Sequence, residues 1–354
     1  MGYRSGIAAT LVVFIVSACG TGIAVEHEGT ARPALSLADS LAAVLEAINQ
    51  RIVEDPGNAA GYADRAGYYL KMDSTRLAVK DMDRALALDS TDVEYRLRAG
   101  DLRYAMLELG TARTHYAAAM RIAPDDTRAR LKLAEIDLVL RKYPESMALV
   151  NGALRLDPTA AHGYYLKGWI YKETKDTLLA ISSFRTAVEQ DPQDYNAYMM
   201  LGSLSAARHD PLAMEYFGTA TELRPTSVEA IYSLAMYCQD AGQDSIALAC
   251  YDRIKEIDPS NALAWYNTGW VYLEHKGDNA RAKVEFSKAI ALQTNYADAW
   301  YNRGVAMERT DELDSAAANY QLCLAIRPDH DLAANGLDRL EKRGVRIKMR
   351  ERKK

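Results

Sequence analysis

The sequence predicts an all-α solenoid, a helical hairpin copied eight times along the chain, and two observations carry that prediction. The first is a fixed period of prolines. Pro124, Pro158 and Pro192 stand 34 residues apart, Pro225 follows after 33, Pro259 after 34, and Pro328 after 69. Each closes a helical pattern, commonly as Asp-Pro (Asp157-Pro158, Asp191-Pro192, Asp258-Pro259). Proline cannot continue a helix and turns the residue before it away from helix, so it marks a regular stop. The second is a set of columns that appears when the copies are aligned on those stops. One column holds Ala66, Gly100, Ala134, Gly168, Gly202, Ala235, Gly269 and Gly304; the next holds Ala78, Ala112, Ser146, Ala180, Ala213, Ala247, Ala282 and Ala316.

A large side chain follows four residues later: Met82, Tyr116, Val150, Phe184, Phe217, Tyr251, Phe286 and Tyr320. Three beyond those stand Ala85, Ala119, Ala153, Ala187, Ala220, Ile254, Ala289 and Cys323. Spacings of four and three put these residues on one face of the second helix of each copy. Small side chains let two helices approach, and the large residue fills the space between them. Two copies slip by one residue, near His209-Asp210-Pro211 and near Lys276-Gly277-Asp278. Both slips are expected in the turn between the helices, where changes of length cost little.

The elements follow in chain order. Arg4 gives a short positive start, and Ile7 to Val16 is an apolar run about half as long as the roughly 20 residues a bilayer-spanning helix needs. It suits a signal peptide over residues 1–18. Val16-Ser17-Ala18-Cys19 resembles the bacterial lipobox, with Val16 where Leu is usual. The resemblance implies a lipid on Cys19 and a chain tethered in a bacterial cell envelope, at the outer membrane rather than the inner, facing the periplasm or the outside. The alternative is ordinary secretion with Cys19 as a passenger. Residues 19–36, rich in Gly and charge without periodicity, read as a flexible tether. Leu37, Leu41, Val44, Leu45, Ile48 and Ile52 then make an amphipathic capping helix over 37–56. The hairpins occupy 59–92, 93–126, 127–160, 161–194, 195–227, 228–261, 262–296 and 297–330. A second capping helix is expected over 331–342. The tail 343–354 is basic, with Arg343, Arg346, Lys348, Arg350, Arg352, Lys353 and Lys354; it reads as a solvated extension or a contact for anionic headgroups.

The repeat resembles the tetratricopeptide repeat (TPR) over about residues 59–330. The W-x2-L-G-x2-Y signature of that family is nearly complete in Trp265-Tyr266-Asn267-Thr268-Gly269-Trp270-Val271-Tyr272, with Thr268 in place of Leu, and Tyr198-Met199-Met200-Leu201-Gly202 is close to it. Arg96 and Arg130 stand where the bulky aromatic belongs, and Ser90 and Thr294 replace the terminal proline in two copies. The resemblance implies a right-handed α-solenoid in which stability accumulates through contacts between neighbours.

Composition excludes several functions. With a net charge of −5, the chain has no general attraction to nucleic acid. Its six histidines, His27, His115, His162, His209, His275 and His330, form no metal-ligand motif. No phosphate-cradling loop, dinucleotide fingerprint or nucleophile elbow occurs, so neither an enzyme nor a cofactor is expected. Cys238, Cys250 and Cys323 read as small buried hydrophobes, with a Cys238–Cys250 bridge left open.

The TPR resemblance implies a concave groove lined by the first helix of each hairpin, chiefly by its second, fifth, sixth, ninth and twelfth residues. Carried onto this chain, that gives His162, Tyr165, Trp169, Asn196, Met199, Met200, Tyr232, Met236, Tyr266, Asn267, Trp270, Tyr301 and Asn302. Aromatic, Met and Asn side chains suit a protein or peptide partner. Some of them, Trp169 and Trp270 above all, serve equally well as packing between adjacent first helices. The family's carboxylate clamp needs Lys or Arg at the fifth and sixth places, where the later copies carry Tyr and Asn. Arg98, Arg128 and Lys132 form either a small basic spot or a solvated face. The rival to a groove binder is a solenoid that self-associates.

Overall fold

The computed structural model describes residues 37–347, which fall into two units. The described part of the first is one helix, α1 (Leu37–Glu54). The second, from Asn58 onward, is a row of paired helices: α2 (Ala59–Lys71) with α3 (Thr75–Leu88), α4 (Val93–Ala105) with α5 (Leu109–Ile122), and α6 (Thr127–Val139) with α7 (Tyr143–Leu156). The row goes on with α8 (Ala161–Glu173) and α9 (Thr177–Gln190), α10 (Tyr195–Ala206) and α11 (Leu212–Leu223), and α12 (Val228–Asp240) and α13 (Asp244–Ile257). It ends with α14 (Ala262–Trp270) and α15 (Asn279–Leu292), then α16 (Ala297–Arg309) and α17 (Leu313–Ile326), over which α18 (Asp331–Lys342) packs. No strand occurs among the described residues. The signal segment, Cys19, the tether and residues 348–354 lie outside them.

Each pair closes through the same corner. The first helix ends with a residue in the left-handed region: Asp73, Leu107, Arg141, Lys175, His209, Gly242, Gly277 or Asp311. After Gly277 the Asp278 amide reaches back six residues, to Tyr272 (2.9 Å), and in the other seven corners the amide after the left-handed residue reaches back five, as from Ser74 to Tyr69 (2.8 Å), Glu108 to Arg103 (2.9 Å) and Gln243 to Cys238 (2.7 Å). That is the Schellman closure, which satisfies carbonyls the helix end would leave bare. At the opposite corner the aspartate before proline turns back on itself: Asp157 accepts from the Thr159 amide and Asp258 from the Ser260 amide. Asp92, Asp194, Ser227 and Asn261 then cap the following helices.

The small column is explained by what faces it. A Cβ on Gly100 would lie 2.2 Å from the Tyr116 ring, on Gly202 2.5 Å from Phe217, and on Gly269 2.8 Å from Phe286. Where the partner is the smaller Met82 or Val150, the first helix carries Ala66 or Ala134 instead. The sizes compensate across the hairpin and keep its core close-packed. Ala235 facing Tyr251 departs from this trade; the Tyr251 hydroxyl donates to Gln239 (2.9 Å) in the buried interior.

Arg96 and Arg130 fill the aromatic column by doing what the aromatics do there. Trp265 Nε1 donates to the carbonyl of Pro259 (3.2 Å), Trp300 Nε1 to Thr294 (2.9 Å), and the Tyr164 hydroxyl to Pro158 (3.0 Å). Arg96 donates to Ser90 and Arg130 to Pro124, again six residues upstream. In these copies the place holds a long flat side chain with a donor at its tip; where Ile231 stands in it, Arg253 donates to the Pro225 carbonyl instead. The corner carbonyl it satisfies is present whether proline, Ser90 or Thr294 stands there.

One expected turn is corrected. The deletion near His209 does fall after the left-handed residue, at the start of α11. The insertion near Gly277 lies within the first helix, whose end widens into a π turn, Val271–His275, closed by the Lys276 amide on the Val271 carbonyl (3.1 Å). An extra residue held as an i→i+5 turn leaves the flanking faces in register.

Candidate partner-binding face

The first helices α2, α4, α6, α8, α10, α12, α14 and α16 stand side by side, and the sixth residues of α4, α6, α14 and α16 each reach back to the preceding first helix. Arg98 donates to the Ala63 carbonyl of the preceding first helix (2.7 Å), and Lys132 pairs with Asp101 (2.8 Å). Asn267 donates to the Tyr232 hydroxyl (3.1 Å) and Asn302 to the Tyr266 hydroxyl (2.9 Å). Arg128 pairs with Glu94 (3.0 Å) and Asp126 (2.8 Å). The basic spot read from Arg98, Arg128 and Lys132 is thus occupied by the chain's own acceptors, and it leaves no free cation cluster there.

His162, Tyr165 and Trp169 come together. His162 stacks on Tyr165 (centroids 6.0 Å), and Tyr165 meets Trp169 edge to face (6.4 Å). Both larger rings rest on Phe184, at 5.6 and 6.4 Å, so each is core on one side and wall on the other. They form one side of a pocket of about 350 Å³, completed by Tyr104, Glu135, Leu138, Val139, Arg141 and Tyr143. Glu135 lies 3.8 Å from His162 Nε2, and that partner holds its carboxyl below the usual range. Burial pushes the Tyr165 phenol up.

Tyr232 and Met236 line a second pocket, of about 670 Å³, with His209, Phe217, Tyr237 and Asp240. It is the first pocket shifted by two hairpins. Tyr232 stands where Tyr165 stands, Met236 where Trp169 does, Asp240 where Glu173 does, and His209 takes the left-handed corner that Arg141 takes.

The other expected groove residues are dispersed. Asn196 is exposed, Met200 is half-buried against the α8–α10 core, and Met199 is buried. Asn267 is buried, so its amide serves the stitch to Tyr232 and not a ligand. Tyr266 lies 4.8 Å from the Tyr296 ring and accepts from Asn302; burial pushes its phenol up to about 12. Tyr301 lies 4.8 Å from the His330 ring. Trp270 packs edge-on to His275 (4.9 Å), whose Nδ1 lies 2.6 Å from Asp244. Sequence reasoning missed Tyr104, Glu135, Arg141, Tyr143, His209 and Asp240. Tyr104 and Glu135 occupy the twelfth and ninth places of their helices, where the family pattern pointed. Arg141 and His209 sit in corners, and nothing in the periodicity marks them.

The three thiols Cys238, Cys250 and Cys323 are free, and burial pushes Cys238 and Cys323 up to about 11. No group of His, Cys, Asp and Glu among the described residues is arranged to hold a metal ion. No helix there is long and apolar enough to cross a membrane.

Residues 97–161, 161–194 and 276–331 match family models described as tetratricopeptide repeat. Those segments carry tetratricopeptide repeats. It is similar to anaphase-promoting complex subunit 3 of Schizosaccharomyces pombe, 30% identical over 45% of this chain and 24% of that protein. It is also similar to the human protein O-mannosyl-transferase TMTC3, 23% identical over 60% of this chain and 24% of that one. The chain thus spans about a quarter of the length of these curated relatives. A solved TPR structure, the C-terminal part of a repeat-containing protein from Cytophaga hutchinsonii, is 20% identical over 64% of this chain and 93% of its own, with a TM-score of 0.47. The matched residues fall on the paired helices α4 to α9 and α15 to α17, and the first helices make up one face of the row.

Proposed function

We propose that this TPR protein is a scaffold that holds an extended segment of a protein partner along its first helices and does not itself catalyse a reaction. The observation that carries this reading is the pocket walled by Tyr104, Tyr143, Tyr165 and Trp169, an aromatic recess on the face where the repeats stand side by side. Aromatic side chains that are rigid on one side and open on the other give large contact area at little entropic cost. Val139 borders the pocket and is half exposed, so Val139→Glu changes the recess without removing core. The variant should lose partner capture with its helicity and melting temperature unchanged; unchanged capture would overturn the reading.

The envelope location is part of the same proposal. A lipid on Cys19 would place the scaffold at a bacterial membrane, with 19–36 as its leash. Two acyl chains or more anchor a protein stably, since each buried methylene contributes about 0.8 kcal/mol. Cys19→Ala should move the protein from the membrane fraction to the soluble one, and retention in the membrane would count against the anchor.

Self-association remains a second reading because of one feature. Leu179, Leu212 and Ile246 are exposed in the first turn of α9, α11 and α13, one per hairpin in register. Light scattering of the chain from residue 37 separates the two readings: a groove binder is monomeric without its partner.

A further inference from the structure

The two pockets are the same recess two hairpins apart, and their charges differ. In the first, Glu135 faces His162 and Glu173 faces Lys172 (3.4 Å), while the Arg141 guanidinium has no carboxylate partner among the described residues. In the second, Asp240 is exposed and its carboxylate has no cationic partner among the described residues. First helices packed side by side are about 10 Å apart. Two steps make about 20 Å, which an extended strand crosses in about six residues at 3.3 Å each.

We propose that the partner segment is an extended peptide with two large apolar anchors about six residues apart, an acidic residue beside the anchor in the first pocket and a basic residue beside the anchor in the second. This rests on the groove reading above and goes beyond it, because it fixes spacing and direction. The first pocket takes an aromatic side chain, since its walls are Tyr165 and Trp169 edges over the Leu138 and Leu166 floor. The second, with Met236 in place of the tryptophan, is wider and takes an aliphatic or aromatic one. Arg141 against the acidic residue and Asp240 against the basic one give the strand one direction, because reversal puts like charges together at both ends.

The test uses the full chain and fluorescein-labelled twelve-residue peptides carrying Asp-Trp at positions 2–3 and Leu-Lys at 9–10 in a Gly/Ser background, read by anisotropy. Removing either anchor, or moving the second by three residues, should weaken binding about tenfold, the loss expected when a tethered second contact is cut. Exchanging the Asp and the Lys should weaken it about fivefold, and Arg141→Glu should reverse that preference at the first site. The inference is overturned if the single-anchor peptide binds as tightly as the double, or if Arg141→Glu leaves the charge preference unchanged. A phage-displayed random peptide library separates this from the groove reading. Binders that lack the spacing but are lost with Val139→Glu overturn the inference alone. Binders indifferent to Val139→Glu, or an absence of binders, overturn both.

Discussion

The seam between first helices is built differently in the two halves of the solenoid. From α2 to α8 it is closed by charge: Arg98 on the Ala63 carbonyl, Lys132 on Asp101, Arg128 on Glu94, Glu135 facing His162. From α12 to α16 its middle is closed by neutral amide-to-phenol bonds, Asn267 to Tyr232 and Asn302 to Tyr266, with one ion pair, Arg309 to Glu274 (2.8 Å), at the helix ends. Arg98, Lys132, Asn267 and Asn302 share one geometric slot, the sixth residue of the helix reaching back one repeat. The same architecture thus accepts either chemistry, and cations in the clamp place of the early repeats are structural. The second hairpin's second helix carries the contrast further inward. Arg113 on α5 forks onto Asp137 of α6 (2.8 Å to Nε), whose side chain is 0% exposed.

The largest effect should come from that buried carboxylate. Arg113→Ala strands Asp137 without its cation, which costs about 3 kcal/mol or more. Asn267→Ala, the matching break in the neutral half, removes one donor from a half-buried phenol and should cost about 1 kcal/mol. Chemical denaturation of both variants ranks them, and similar losses would erase the distinction between the halves. Tyr266, in the neutral half, should in turn make a contribution that alkali removes. Its folded pKa, about 12, is above the ordinary value near 10, so the fold favours the protonated phenol. The stability this contributes is complete below pH 10 and is lost as pH rises from about 10 to about 12. Tyr266→Phe should remove that part of the alkaline loss in a denaturation series followed by circular dichroism.

Much of the scaffold was legible because the restraints repeat. Gly100, Gly168 and Gly202 are small for one reason, an aromatic ring pressed on each, and a reason stated several times in one chain shows as a column. The stitch was not legible. Asn267 and Asn302 look like free hydrogen-bonding groups in sequence, and only the juxtaposition of helices some 35 residues apart shows their partner to be a tyrosine of this chain. The π turn was misplaced because periodicity gives the length of a unit, not where within it an extra residue is stored. The pocket was half legible. His162, Tyr165 and Trp169 share a helix face and were found together, whereas Arg141 is brought to them by a corner whose left-handed backbone has no fixed residue type.

Corners offer a smaller contrast between the halves. The left-handed place is Asp73, Leu107, Arg141, Lys175 and His209 in the early hairpins and Gly242 and Gly277 in two later ones. A side chain there costs about 1–2 kcal/mol, of which the extra freedom of unfolded glycine returns part. Leu107 is 82% exposed with φ of 60° and gives little packing in exchange. Leu107→Gly should therefore raise stability by about 0.5–1 kcal/mol, and Gly242→Leu should lower it by a similar amount. A melting temperature that falls with Leu107→Gly would show that the leucine contributes more than its exposure suggests.

Salt should give the smallest effect and the one that best locates the difference. Arg128, Glu94, Lys132 and Asp101 are all well exposed, and such pairs contribute roughly 0.5 kcal/mol or less each. At 1 M salt the screening length falls to about 3 Å, so the early seam loses that contribution while the tyrosine–asparagine bonds, carrying no net charge, keep theirs. Hydrogen exchange measured by mass spectrometry at low and high salt should show faster opening in α4 and α6 and a smaller change in α14 and α16, confined to the helix ends that Arg309 and Glu274 join. Equal acceleration in both regions would mean that the charges do not hold the early seam, and that packing behind it, at Leu97 and Leu131, does.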